Sequence, residues 1–494
     1  MKKRIFILFI TLSLMLSALS CSDTPVQTET KEDAVQESSV PTETEIKVEV
    51  LDNLPEDLDF EGRDIRFIVE EASGGNLAEL SVFIEEESAE LVPSAVYHRN
   101  LTISDRLGVN IVLSEVTPSG QLTGPVRNSV NSNSDDYDVV SAHQYNSIHL
   151  APEGLMMNLA NFEYLDFDRE YWAGDFIQNM GYLNVLPWAT GDAALRYIGG
   201  MYATFVNADI WNKNYSDVNL YDIVNEGEWT LDKMRELSEG VYIDANGDGA
   251  RDKEDIFGLA VSFEDPMEGF AAASNVKFSE TGDDGLPTIT LDNERTYMFY
   301  DKMYALLITN PGFFAAERDD NHTTMTMFKN EHSMFCVNKI FQSEFYLRDM
   351  DVDFMIVPVP KLDTDQAEYN TRTHDGMSIY GIPVTNKNLD STTATLEALA
   401  SESYKTVTPA YYETALKVRY TRDSESGQMI ELIRKNVSSD FASMYSAHIA
   451  DIVHTFRGSL SSGKESIAST MQKAVKLWEL KLNDIISKIE SVEN

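Results

Sequence analysis

A period-two apolar run, Arg63-Asp64-Ile65-Arg66-Phe67-Ile68-Val69, is followed by a helical stretch over 94–107 that stops at Gly108. A second apolar run starts at once, Val109-Asn110-Ile111-Val112-Leu113. A third, Asp136-Tyr137-Asp138-Val139-Val140-Ser141-Ala142, exits into polar residues. Strand–helix–strand alternation specifies an α/β layer with parallel strands. Ligands on such sheets collect at the carboxyl ends of strands, which directs attention to His143, Gln144 and Tyr145. Further strands are predicted at 202–207, 256–261, 334–337 and 354–358. A helix enters through Trp229-Thr230-Leu231-Asp232, and 390–494 is mostly helical by pattern.

The N-terminus reads as a signal. Met1-Lys2-Lys3-Arg4 is basic, and 5–20 is apolar and ends in small residues. Its length suits a signal-peptide core better than a spanning helix of about 20 residues. Ala18-Leu19-Ser20-Cys21 resembles a bacterial lipobox, which predicts a signal peptide over 1–20 and lipidation (palmitate) of Cys21. A plain cleaved signal and an uncleaved anchor are the alternatives. Residues 21–57 are rich in Ser, Thr, Pro and Glu and read as a solvated tether. The expected place is the extracytoplasmic face of the cell membrane, held there by the lipid alone. The remaining body of about 435 residues exceeds what one core usually serves, so two lobes are expected. A net charge of −42 argues against nucleic acid and against anionic lipid. Cys336, in an apolar context, reads as a small buried hydrophobe.

Residues 244–255 read D-A-N-G-D-G-A-R-D-K-E-D. Oxygen side chains stand at loop positions 1, 3, 5, 9 and 12 (Asp244, Asn246, Asp248, Asp252 and Asp255), with the backbone of Ala250 at position 7. Gly249 occupies position 6, where a Ca²⁺ loop turns sharply. Asp255 replaces the longer bidentate Glu of an EF-hand, as in the dockerin-type variant. The segment after the loop is strand-like, so a structural Ca²⁺ is expected, not a sensor. An acidic Gly-rich turn is the alternative.

Taken in order, these parts resemble the extracellular solute-binding lipoproteins of bacterial ABC importers, in their carbohydrate-binding branch (family 1 type). Asp136-Tyr137-Asp138-Val139-Val140 and Gly154-Leu155-Met156-Met157-Asn158-Leu159 match a first-lobe strand and helix. Tyr171-Trp172 and Gly191-Asp192 match a "WW…GD" stretch, with Tyr171 replacing the first tryptophan. Tyr221-Asp222-Ile223-Val224 with Gly227-Glu228-Trp229-Thr230-Leu231-Asp232 matches the helix entry, and the acidic loop follows it. Val357-Pro358-Val359-Pro360-Lys361, with Gly381-Ile382-Pro383, resembles the return strand into the first lobe.

The resemblance covers essentially all of the chain after Cys21. It implies an α/β, two-lobed periplasmic-binding-protein-like fold (type II) with discontinuous lobes around a ligand cleft. The N-terminal lobe is expected at 58–190 and 355–405, the C-terminal lobe at 191–354 and 406–494. It also implies a monomeric, non-enzymatic receptor that hands a sugar to ABC permease subunits after hinge closure. Such clefts combine aromatic faces with carboxylates and amides. On that chemistry Gln144, Tyr145, Trp172, Trp188, Asp192, Tyr197 and His374 are the expected ligand residues. Trp211, Trp229 and Trp478 sit in helical patterns and read as packing residues.

Enzymatic readings find little. Gly458-Ser459-Leu460-Ser461-Ser462-Gly463-Lys464 nearly spells a phosphate loop, but Glu465 stands where a Ser or Thr must hold magnesium. There is no G-x-S-x-G and no H-E-x-x-H. A glycosidase needs only two carboxylates, and 81 acidic residues supply pairs by chance. A surface-tethered lectin would share the same aromatic chemistry.

Overall fold

The computed structural model describes residues 52–492 apart from 73–74, 182–184, 317–320, 418–423 and 464–466. The predicted signal, Cys21 and most of the tether lie outside the described residues. Twelve strands are described: β1 Arg63–Glu70, β2 Val109–Thr117, β3 Val139–His143, β4 Tyr202–Asn207, β5 Tyr242–Ile243 and β6 Ile256–Ser262, then β7 Ser279–Thr281, β8 Pro287–Ile289, β9 Phe313–Ala316, β10 Ser333–Lys339, β11 Phe354–Val357 and β12 Ser378–Gly381.

The first sheet has the order β12-β3-β1-β2. β1 runs parallel to β2 and β3, and β12 closes the edge antiparallel to β3. Ile65, Phe67, Ile68 and Val69 are fully buried at its centre. The helix Leu91–Leu107 returns the chain from β1 to β2 and ends at Gly108, whose φ of 61° is left-handed. A Cβ there would also meet Asp59 Oδ1 at 2.1 Å, so glycine alone fits this stop.

The second sheet runs β11-β4-β10-β6-β5, with β9 also paired to β6. β4 is antiparallel to both β10 and β11, whereas β6 is parallel to β10 and β9. Every residue of β4 and β10 is buried, which explains their unbroken apolar reading without alternation. β7 and β8 form a separate hairpin. The α/β fold with two sheets matches the expected class.

Two boundaries differ from the sequence reading. The tether was expected through 57, yet Asp52 pairs with Arg106 at 2.6 Å and Leu54 is buried. The order therefore begins by Asp52. The return to the first sheet was expected at Val357-Pro358, but β11 belongs to the second sheet and the return comes at β12. Pro358 has no N–H to extend a ladder, so the strand stops. Its carbonyl instead accepts Trp229 Nε1 at 2.8 Å and Thr204 Oγ1 at 3.2 Å.

The helical C-terminal third covers both sheets. The helix Leu389–Glu402 packs on Leu91–Leu107 and β1, then passes through one π-helical turn, Ser403–Val407. The helix Ser424–Lys435 packs along β11. No described helix is long and apolar enough to cross a membrane.

Candidate functional site

Six of the seven candidate ligand residues fall into three places. The first is the polar exit of β3. Gln144 is buried and its Nε2 donates to the Met444 carbonyl; the Tyr145 hydroxyl donates to Asp451 at 3.0 Å. Burial and the Asp451 carboxylate push the Tyr145 phenol up to about 12. Both side chains tie the first sheet to the segment that follows residue 440.

His374 lies beside them in an ionic junction. Its Nε2 is 3.2 Å from Asp265, at the start of the helix Pro266–Ala273, and 3.5 Å from Asp375. Lys339, from the end of β10, reaches Asp265 at 2.6 Å. Arg457 spans Glu264 at 3.0 Å, Asp265 at 3.2 Å and Glu268 at 2.8 Å, while Arg372 stands 3.4 Å from Glu268. Burial works against ionisation of Asp265, but His374 and Lys339 outweigh it and hold its carboxyl well below the usual range. Burial raises Glu268 instead. Tyr202 Oη, His143 Nδ1, Glu268 Oε2 and Arg457 Nε are buried here without a hydrogen-bond partner among the described residues. Such groups are costly in a dry interior, so the junction holds polar atoms that its own ion pairs do not satisfy.

The third place is a pocket of ≈ 660 Å³ at the seam between the helices covering the two sheets. Trp172, Asp192 and Tyr197 line it, joined by Asp175, Tyr404 and Arg434. Tyr404 comes from the π-helical turn on the first-sheet side, Arg434 from the helix that covers β11. The Arg434 guanidinium bonds Asp192 Oδ2 at 3.0 Å and lies 5.7 Å and 5.3 Å from the ring centres of Tyr404 and Tyr412. Burial pushes Asp192 up to about 6, against the pull of Arg434.

The Gly-Asp context has a steric origin. Gly191 forms an antiparallel bridge with Trp172, and a Cβ on it would stand 2.2 Å from the Tyr171 carbonyl oxygen. The glycine lets two backbones meet, which delivers Asp192 to the pocket wall. Trp172 is held from behind: its Nε1 donates to Glu397 at 3.0 Å, and Phe167 packs edge-on at 5.1 Å. Tyr197 is 8% exposed, and its hydroxyl has no hydrogen-bond partner among the described residues.

Trp188 does not reach any of these places. It is fully buried, donates to the Ile148 carbonyl at 3.1 Å and packs against Gly381, whose Cβ would stand 2.6 Å from the indole. It is a core residue of the first sheet. Trp211, Trp229 and Trp478 are buried as expected of packing residues. Cys336 is buried on β10, and burial pushes its thiol up to about 12, which removes its nucleophilic character. Gly458 to Ser461 lie in the helix Ile452–Ser461, not in a phosphate-cradling loop.

The acidic loop joins β5 to β6. Gly247 and Gly249 take left-handed φ of 74° and 76°. Asp244 accepts the N–H groups of Gly247 (2.8 Å) and Gly249 (3.1 Å), Asn246 that of Asp248 (3.0 Å) and Asp248 that of Ala250 (2.7 Å). Asp252 accepts the N–H of Glu254 at 2.8 Å. Asp255 is buried and accepts Tyr242 Oη at 3.0 Å and the Ala245 N–H at 3.1 Å. In this conformation the carboxylates face backbone donors. Among the described residues no group of three or more His, Cys, Asp or Glu is arranged to hold a metal ion.

Several site residues carried no sequence signal. Arg434, Arg372 and Arg457 sit in ordinary helical or loop contexts far along the chain from their partners. Only Glu268, beside Pro266, had a local cue, in a helix start with proline at its first position.

No family model and no curated protein matches the chain in sequence. Solved structures do match in fold. UspC of M. tuberculosis superposes with a TM-score of 0.56 at 12% identity, over 85% of this chain and 100% of that one. The maltose/maltodextrin-binding domain MalE from Bdellovibrio bacteriovorus, bound to maltotriose, gives 0.51 at 15% identity over 86% and 100%. An ABC transporter solute-binding protein from Thermotoga lettingae, bound with alpha-D-tagatose, gives 0.51 at 12% over 86% and 100%. The architecture is therefore the periplasmic-binding-protein-like fold of solute-binding proteins.

Proposed function

We propose that this chain is the substrate-binding receptor of an ABC importer, taking a sugar or oligosaccharide at the interlobe seam and delivering it to membrane permease subunits. The observation that carries the reading is the seam pocket. Its volume suits a small saccharide, its walls combine aromatic faces with carboxylates and a guanidinium, and elements covering both sheets contribute to it. The fold adds support, since related architectures hold maltotriose and tagatose. Lipidation at Cys21 would hold the receptor at the extracytoplasmic face of the membrane.

Ca²⁺ is proposed for the loop at 244–255 on its donor order and left-handed glycines. Binding would require Asp244 and Asp248 to exchange their backbone N–H partners for the cation.

Titration calorimetry against mono- to tetrasaccharides, with small-angle scattering before and after saturation, tests the receptor. One saccharide class is expected to bind and to reduce the radius of gyration. Silence across the panel, or turnover of a bound sugar, would overturn the reading.

A further inference from the structure

The seam pocket carries more carboxylate than its own cations can neutralise. Glu170, Asp175, Asp192 and Glu431 line it, against Arg434 and Lys435. Arg434 is already spent: it holds Asp192 at 3.0 Å and Glu431 at 3.6 Å. Lys435 is exposed. Glu170 accepts the Tyr404 hydroxyl at 2.9 Å, and Asp175 accepts the Ser439 N–H; neither has a cation within ion-pair distance among the described residues.

These two carboxylates flank Trp172 on one short stretch of chain. Tyr197, more than nine-tenths buried, contributes to the same pocket a hydroxyl without a hydrogen-bond partner among the described residues. The three features together describe a complementary molecule. It has an apolar face for the indole, hydroxyls for Tyr197 and Gln428, and a positive group for Glu170 and Asp175.

We propose that the ligand of the seam pocket is an amino sugar with a free ammonium group, which rests on the receptor reading above. A neutral sugar could donate hydroxyls to the two carboxylates, but lobe closure would then bury both charges without a counter-ion, which is costly. An acidic sugar would meet like charge. An ammonium group replaces the lost water with a charge-assisted hydrogen bond, the stronger kind.

The test is calorimetry on the purified chain with glucosamine, galactosamine, mannosamine and the β-1,4-linked disaccharide of glucosamine, each beside its N-acetyl form and its parent neutral sugar. At least one free amine is expected to bind roughly tenfold or more tightly than both counterparts. Asp175→Asn should abolish that advantage, bringing the amine's affinity down to that of its neutral parent on the same variant. Glu170→Gln, at an exposed position, serves as the second variant should Asp175→Asn fail to fold. High salt should narrow the gap. If a neutral or N-acetylated sugar binds as tightly as the amine, the ammonium assignment is wrong and the receptor reading stands. If no sugar of either kind binds, both fall together.

Discussion

Glu397 offers a direct test of how the pocket wall is held. It sits on the helix Leu389–Glu402, 1% exposed, and accepts Tyr171 Oη, Trp172 Nε1 at 3.0 Å and the Asp166 N–H at 3.2 Å. Burial pushes its carboxyl up to about 7 from the usual 4.5, against the pull of its Tyr171 and Trp172 bonds. The folded state therefore keeps a proton that the unfolded state has already lost between pH 4.5 and 7. Stability falls with rising pH across that window, and the shift is worth about 3 kcal/mol. Glu397→Gln cannot titrate. Its single carbonyl oxygen also accepts fewer of the three donors, a pH-independent cost of about 1–2 kcal/mol. The expected signature is a reversal: wild type more stable than the variant by about 1–2 kcal/mol near pH 4.5, and less stable by a similar amount toward pH 8, a swing of about 3 kcal/mol. Urea unfolding followed by tryptophan fluorescence at several pH values measures it. Parallel pH profiles for the two proteins would refute the buried, proton-retaining Glu397.

Three further outcomes are expected. Trp172→Ala should weaken ligand binding by roughly tenfold without unfolding the protein, as loss of a stacked aromatic face implies; unchanged affinity would remove Trp172 from the site. Arg457→Met leaves Glu264, Asp265 and Glu268 without their shared cation and should destabilise the chain by about 3–5 kcal/mol in denaturant melts. Wild-type melting should rise with Ca²⁺ and fall with chelator, and Asp244→Ala with Asp248→Ala should erase that response; indifference of the wild type to chelator removes the metal.

What could be read from the sequence was local. β1, β2, β3 and the helix ending at Gly108 announce themselves by period and by a glycine stop, because each is decided within a few residues. β4 and β10 were legible as continuous apolar runs. β12 was not, since Ser378-Ile379-Tyr380-Gly381 is short and its strand character comes from pairing with β3. The tryptophans show the same limit at the site. Trp172 and Trp188 are chemically identical candidates. Only the bridge to Gly191 and the packing on Gly381 send one to the pocket and the other to the core. Arg434 was invisible because its meaning lies in Asp192, across most of the second sheet's chain.

The late arrival of β12 also sets a condition on how the molecule is made. Ser378 pairs with His143 and Gly381 with Val140, while β4, β6, β10 and β11 all lie between them in the chain. A chain emerging N-terminus first therefore presents β3 as a bare edge for the whole time the second sheet is being synthesised. Bare edges recruit wrong partners. A truncation anywhere before Ser378 would leave that edge open permanently, so damage late in the chain is felt in a sheet begun at residue 63.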